Sequence, residues 1–422
     1  MAKDAPSSVE RSERTDGEFM RIEQSSDPMN ALPIGLAKLT RLAFAGVDLS
    51  RVAGRLLGMC ERDPNHAGAL MDLAVIDQLE GNLATGLKRQ AMALSKQRVF
   101  RSTCCGANPR LRVLAFVAAA DIGANTPLEF LLEGSDIALT MVYVMPGREL
   151  PTVLPDHDLA FVAIAATSLN RRLLAELEDL LAYWPTPVVN LPGRVSMLEP
   201  IELAANLTEA GLRTPILRRM LHNELRDVAE ASEADGSFPI VIRAIEQRNE
   251  RGAEKVDTAL GLGLYLGKRS DRAYLVSPFV DCRGQDGLYR KIRLLFIDRR
   301  PYACHLAVSE GWNGSYVDAR MEADLRRRRE EEHFFATFDT DFVTRHSGAF
   351  EALVECVGLT YFGVDCAETE SGELVVFKVD HTLLVHDMDP VDVFPYKPPQ
   401  MRKIFDAFAS YLHRAAVEGE RR

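Results

Sequence analysis

The chain has 422 residues, 47% hydrophobic and 26% charged, with a formal net charge of -11 at pH 7. That length supplies two or three domains with their own cores, and the balance is that of an ordinary soluble globular protein. The acidic balance excludes a general nucleic-acid or polyanion binder, so any bound anion must be held by local positive charge or backbone N–H groups.

Residues 1–30 are polar, charged and Ser-rich, which predicts a disordered tail, and the first 19 lack the apolar core of a secretory signal. A helical block follows over residues 31–105. Asp63-Pro64 opens one helix, with Leu70, Leu73, Ala74 and Ile76 on its apolar side, and Gly81-Asn82 breaks it. Leu83, Leu87, Ala91 and Leu94 are expected to line the second helix of this hairpin. The hairpin resembles a single tetratricopeptide unit, and residues 36–61 read as a poorer copy. A docking or dimerisation module and a simple helical cap are both open readings of this block.

From Arg110 the pattern changes to alternating strands and helices. LRVLAFVA, IALTMVYV, LAFVAIAAT and PVVN are apolar runs of strand length, with a leucine-striped helix over residues 169–183 (Leu173, Leu174, Leu177, Leu180, Leu181). Near-continuous apolar strands separated by helices imply a parallel sheet covered on both faces, so residues 108–195 read as a small doubly wound domain. It has no GxGxxG fingerprint and is not read as a dinucleotide site. Asn190-Leu191-Pro192-Gly193-Arg194 lies just beyond the fourth strand, where ligands bind in open α/β sheets, so Arg194 is a candidate substrate-anion contact. A helical connector is expected over residues 199–231. The remainder is strand-rich, with FPIVIRA, RAYLVSPFV, KIRLLFI, YACHLAV, YFGVD and ELVVFKVD, and ends in an amphipathic helix over residues 399–417.

Residues 359–387 are the most informative stretch. Two β-runs flank an acidic turn, and each ends in Asp: Asp365 in the first, Asp380 in the second, two residues after Lys378. Side chains alternate along a strand, so Lys378 and Asp380 share a face, and hairpin pairing brings Asp365 to it. Charges at solvated hairpin ends are one reading. The other is a phosphate–metal site, since buried charge is costly without a partner. Upstream, Arg243 ends an apolar strand, and a polar loop with Gly252 and Lys255 follows, either solvated or folded over phosphates. Ser277-Pro278-Phe279-Val280 has the character of an extended hinge whose backbone can read an adenine edge, and Asp286 can accept bonds from ribose hydroxyls. Lys291 and Arg293 share one face of KIRLLFI, which suggests a phosphate or carboxylate partner.

In this order of parts, residues 238–387 resemble the ATP-grasp ligases, the superfamily of glutathione synthetase and D-alanine–D-alanine ligase. The cues are the basic residue ending FPIVIRA, the SPFV hinge, Arg293, FGVD and FKVD. Residues 108–215 look like the α/β domain that precedes the grasp, and residues 216–417 like the grasp itself. The fold class implied is therefore mixed α/β and α+β: N-terminal helical hairpins, a small parallel α/β domain and a C-terminal ATP-grasp fold. The resemblance implies ATP between two sheets, with adenine on Ser277, Pro278, Phe279 and Val280, and phosphates at Arg243, Gly252 and Lys255. It further implies Mg²⁺ on Asp365 and Asp380, and Arg293 where an acyl phosphate forms from a small-molecule or peptide carboxylate and is then attacked by an amine or thiol.

Three departures stand out. Arg243 replaces the usual Lys, which keeps the charge. The loop EQRNERGAEK is poorer in glycine than the family's. The last strand reads Lys378-Val379-Asp380 in place of Glu-x-Asn, and a protonated lysine cannot ligate Mg²⁺. Two outcomes follow: Lys378 replaces the charge of one ion, leaving a single Mg²⁺, or catalysis is lost and the chain is a nucleotide-binding or scaffolding protein.

RRRREEEH over residues 326–333 reads as a solvated helix with i,i+4 pairs such as Arg326–Glu330. The seven cysteines are odd in number and form no CxxC, so neither a disulfide framework nor a zinc site is indicated; Cys104 and Cys105 read as reduced neighbours rather than a redox pair. His305, His381 and His386 have no second ligand at helical spacing. The compartment reads as cytoplasm. Expected partners are the two substrates, a protein at the N-terminal helices and a second copy of the chain, with no nucleic acid and no membrane.

Overall fold

The computed structural model describes residues 32–103, 108–230, 238–245, 252–314 and 319–419. The expectations for residues 1–30, for Cys104 and Cys105, and for the middle of the loop after Arg243 lie outside the described residues. The chain forms two compact units that divide after Thr103.

The first unit is helical: α1 (Leu36–Phe44), α2 (Leu49–Arg62), α3 (Ala67–Leu79) and α4 (Leu83–Lys96), then a short strand β1 (Val99–Arg101). Its core gathers Leu39 and Leu42 of α1, Val52 and Leu56 of α2, and Ala69, Leu73 and Ile76 of α3. Buried Asp72 accepts from the N–H groups of Ile34 and Gly35 at 2.8 and 3.1 Å, which satisfies orphan donors ahead of α1. Gly81 ends α3 at φ 86°.

Helix α4 turns a different face inward from the one its leucines suggest. Gly86, Gln90, Ala93 and Leu94 are buried, while Leu83 and Ala91 are exposed. The cause is close approach: a Cβ at Gly86 would lie 2.6 Å from Gln78 Cγ and 2.8 Å from the Ala74 carbonyl, so only glycine fits where α3 and α4 meet. Arg89 then reaches both carboxylate oxygens of Asp77 at 2.8 Å.

The second unit begins with parallel strands β2 (Leu111–Ala118), β3 (Ile137–Val144), β4 (Leu159–Val162) and β5 (Val188–Val189), side by side in the order β3-β2-β4-β5. Their continuous apolar runs are buried on both faces, as expected for a parallel sheet. Helix α5 (Leu128–Leu132) follows β2, and α6 (Arg171–Leu181) follows β4. On α6, Leu173, Leu174, Leu177 and Leu181 are buried, while Leu180 falls outside the stripe and is exposed.

Two four-stranded antiparallel sheets complete the unit. After α7 (Pro192–Ser196) and α8 (Pro200–Glu209), the expected helical connector is interrupted by β6 (Arg218–Leu221) and resumes as α9 (His222–Glu230). β6 is an edge strand whose residues are mostly exposed, so no alternation reveals it in the sequence. With β7 (Ile240–Ala244), β8 (Glu254–Val256) and β9 (Ala273–Pro278) it forms the small sheet, in the order β6-β9-β7-β8. Leu225 of α9 and Leu262 and Leu266 of α10 (Ala259–Leu266) pack on its Ile240, Ile242 and Tyr274 face.

The large sheet runs β11-β10-β12-β13, from β10 (Tyr289–Ile297), β11 (Arg300–Ser309), β12 (Tyr361–Glu368) and β13 (Leu374–Asp380). Helices α11 (Leu325–Thr337), α12 (Phe342–Arg345) and α13 (Ser347–Val357) lie between β11 and β12 in the chain. On one face Phe296 stacks on Phe362 at 4.8 Å and meets Phe350 of α13 edge-on. On the other, Tyr361 packs against Phe161 of β4 and Phe408 of the final helix α14 (Lys397–Glu418).

Both outer strands are covered. Glu331 of α11 accepts from the Leu306 N–H of β11 at 3.1 Å, and on the far side the Val376 N–H of β13 donates to the Arg213 carbonyl at 2.9 Å. Glu331 is wholly buried and is matched by Lys397 at 3.5 Å and the Tyr396 hydroxyl at 2.7 Å.

Candidate functional site

The second face of the large sheet is apolar where β12 begins and charged farther along. Register explains why. Arg293 of β10 stands opposite Asp365 of β12, Asp365 opposite Lys378 of β13, and Gly363 opposite Asp380. Lys291 lies two residues from Arg293, on the same face. Five charged side chains from three adjacent strands therefore meet. Arg293 clamps Asp365 through Nε and Nη2 at 2.7 and 2.9 Å, and Lys291 approaches to 3.6 Å. Lys378 Nζ lies 3.0 Å from Asp380, whose other oxygen accepts from the Thr382 N–H and hydroxyl at 2.8 and 2.7 Å. The Asp365 side chain is 0% exposed, whereas Lys291, Arg293 and Lys378 are 18%, 22% and 36% exposed. Asp365 is thus interior, while the three cations and Asp380, at 22% exposed, reach solvent.

Burial pushes the Asp365 carboxyl up, but Arg293, Lys291 and Lys378 outweigh it and hold the group well below the usual carboxylate range. Asp380 shows the same balance, burial opposed chiefly by Lys378, and is also held down. His305 stands opposite Arg293 on β11; burial and the Arg293 charge lower its pKa well below the ordinary value, so it is neutral near pH 7. Burial pushes the Cys304 thiol up to about 12 and the Cys366 thiol well above its ordinary value, which excludes them as nucleophiles.

The chain brings other elements to this face. Thr126, whose N–H bonds the Ala163 carbonyl just past β4, donates its hydroxyl to the His381 carbonyl at 3.0 Å. The carboxyl end of the parallel sheet therefore abuts the end of β13. Asn190, at φ 56°, donates to the Tyr361 carbonyl at 2.9 Å and accepts from the Tyr361 N–H at 3.3 Å. Gly363 sits under a close crossing: a Cβ there would lie 2.6 Å from Leu383 Cδ1 and 3.3 Å from the Asp380 carbonyl, because the chain leaving β13 crosses over it.

The small sheet gathers a second set. Val241 pairs with both Lys255 and Ser277, and Arg243 with Leu275, so Arg243, Lys255 and Ser277 share the face away from α9 and α10. Lys255 lies 2.7 Å from Asp257 and 4.5 Å over the Phe279 ring, and Trp312 meets Phe279 edge-on. Gly252 lies two residues before β8, and Pro278 ends β9. Val280 packs with Ala367 of β12 and Val375 of β13, so residues 277–280 run from the small sheet to the large one.

Other expected residues lie elsewhere. Arg194 sits against Gly358, seven positions before Asp365 in the chain, and is not part of the cluster. Both oxygens of Asp286 are taken by Arg290, which pulls its carboxyl down to about 2. The expected Arg326–Glu330 pair is replaced: Glu330 engages Arg290 from β10, because α11 packs along that sheet and offers Glu330 a partner across it. From the sequence, Lys291 was placed on the Arg293 face but given no role of its own, and Thr382 was not reached. The basic residue at position i−2 from Arg293, and the Asp-x-Thr sequence after β13, are the signals for them.

A magnesium ion was expected on Asp365 and Asp380. The donor set as arranged does not suit one. Each of the four carboxylate oxygens already accepts from a side chain or backbone donor, and a lysine stands between the two groups. Among the described residues no group of three or more His, Cys, Asp or Glu side chains is placed to hold a metal ion.

No protein-family model and no curated protein matches the chain. Solved structures similar to it include a RimK domain ATP-grasp protein from Sphaerobacter thermophilus, at 17% identity and a TM-score of 0.43, covering 71% of this chain and 99% of that one. D-alanine–D-alanine ligase from Bacillus anthracis in complex with ATP is similar at 11% identity and a TM-score of 0.43, over 73% and 99% of the two chains. The ATP-grasp ligase PsnB, complexed with a precursor peptide and AMPPNP, is similar at 12% identity and a TM-score of 0.39, over 72% and 99%.

Proposed function

We propose that this chain is an ATP-dependent ligase of ATP-grasp type, with the triphosphate held between the small and large sheets. The observation that carries the reading is the outward-facing trio Lys291, Arg293 and Lys378, set on one sheet face next to the carboxyl end of a parallel sheet. Open α/β sheets bind ligands at that end. Arg243 and Lys255 on the small sheet supply further positive charge toward the phosphates, with Gly252 in the loop beside them, and residues 277–280 supply backbone for the adenine edge.

In the reaction, a carboxylate oxygen of a small molecule or peptide attacks the γ-phosphorus of ATP. The bond from that phosphorus to the bridging oxygen breaks, ADP leaves, and an acyl phosphate forms. An amine or thiol then attacks the acyl carbon, loses a proton, and expels inorganic phosphate. The cationic face offsets charge on the moving phosphoryl group, and Arg293, fixed by Asp365, does so without reorganising.

Calorimetric titration with ATP tests the reading. The wild-type chain is expected to bind, and Lys291→Ala is expected to bind about tenfold or more weakly, the loss of one charge-assisted contact. A chain that takes up no nucleotide under any metal condition ends the proposal.

A second reading keeps the nucleotide and drops the chemistry, making the chain a binding or scaffolding protein that works through its helical N-terminal unit. The contact of Lys378 with Asp380 favours it, since it ties up a carboxylate and a cation that catalysis would use. ADP release that depends on added carboxylate and amine separates the two.

A further inference from the structure

The departure at Lys378 has a specific chemical meaning in this geometry. Asp365 Oδ1 and Oδ2 accept from Arg293, and Lys291 lies 3.6 Å from the second oxygen. Asp380 gives one oxygen to Thr382 and the other to Lys378. An ion between the two carboxylates would have to strip a guanidinium from a fully buried partner. It would also stand beside the Lys378 ammonium, which the strand register sets opposite Asp365. Magnesium demands six close oxygen ligands in near-ideal geometry, and here each carboxylate oxygen already faces a cation or a hydrogen-bond donor that an ion would have to displace or stand against. The charge count points the same way. Lys291, Arg293 and Lys378 face Asp365 and Asp380, so among these five side chains positive charge exceeds negative by one. Asp365 is wholly buried, whereas Lys291, Arg293, Lys378 and Asp380 each keep partial contact with solvent.

We propose that this site binds its polyphosphate without a divalent cation, with the side chains of Lys291, Arg293 and Lys378 supplying the charge that a metal supplies elsewhere. The inference rests on the nucleotide reading above and narrows it: the ligand is an uncomplexed triphosphate.

The test is ATP titration in EDTA and in millimolar MgCl₂ on the full chain, with inorganic tripolyphosphate as a second probe. ATP is expected to bind in EDTA at least as tightly as in magnesium, and tripolyphosphate is expected to compete with it. Lys378→Met removes the charge and adds no ligand; its metal-free affinity should fall about tenfold or more, with no recovery in magnesium. Lys378→Glu should lose metal-free binding to a similar degree and recover it when magnesium is added. Circular dichroism checks that both variants fold, which the partial exposure of Lys378 favours. If the wild-type chain binds ATP only with magnesium, this inference fails and the nucleotide reading stands. If it binds ATP in neither condition, both fail.

Discussion

Asp365→Asn separates a carboxylate that serves the cationic face from one that serves a metal. The side chain is 0% exposed and receives both forks of Arg293, with Lys291 close behind. Removing one member of a buried pair costs about 3–5 kcal/mol, because the other is left uncompensated. Here the cations keep some contact with water, and asparagine retains one acceptor for Arg293. The expected loss is therefore below that range, about 2–3 kcal/mol. With a urea dependence of about 2–3 kcal/mol per molar, the unfolding midpoint should fall by about 1 M. Anion binding should move the opposite way. The substitution raises the net charge of the face by one, so tripolyphosphate in EDTA should bind more tightly to the variant than to the parent. A stability change under about 0.5 kcal/mol refutes the ion-pair argument. Weaker anion binding refutes the assignment of Asp365 as a support for the cations.

Two further perturbations probe the frame of the site. Gly363→Ala places a methyl group 2.6 Å from the flexible tip of Leu383 and 3.3 Å from the Asp380 carbonyl, so a loss of about 1 kcal/mol is expected, with more for Gly363→Val; equal midpoints for Gly363→Val and the parent refute the close-contact argument. Glu368, at the end of β12, pairs with Arg345 and lies 2.7 Å from His346 Nε2; burial raises its pKa, but these two outweigh burial and hold it below 4.5. A depressed carboxyl contributes fully above its unfolded value and loses that contribution as pH falls through the folded one. The stability gap between the parent and Glu368→Gln should therefore be constant from neutral pH down to about 5 and close below about 4.5, and a gap unchanged at about pH 3 contradicts it.

The strands that carry the site were legible because each repeats one simple pattern. YFGVD and ELVVFKVD are short β-runs around a polar turn, so the hairpin, the shared face of Lys378 and Asp380, and the approach of Asp365 follow from strand periodicity, and the structure shows all three. The long apolar runs of β2, β3 and β4 were equally plain. What escaped was anything decided across the chain. β6 is exposed and its Arg218-Arg219-Met220-Leu221 sequence has no alternation, so only its pairing with β9 makes it a strand. The inward face of α4 depends on Gly86 meeting Ala74, which leucine spacing does not report. The partners of Asp286 and Glu330 were hidden for the same reason: Arg290 reaches both, and no local rule names it. In the charged cluster, the strand faces of Lys291, Arg293, Lys378 and Asp380 could be read from spacing, but the pairing of their side chains could not. That Arg293 closes on Asp365 with both forks of its guanidinium is a fact of register between β10 and β12.

The covered margins of the large sheet bear on how this chain behaves in a crowded solution. A margin of unpaired amide and carbonyl groups invites a strand from a neighbouring molecule, and sheets that grow in this way end as insoluble fibres. Glu331 occupies the Leu306 amide on one side, and the Arg213 carbonyl occupies the Val376 amide on the other. Growth by lateral strand addition is thereby blocked at both of these amides, and the buried Glu331–Lys397 pair is part of what keeps the sheet finite.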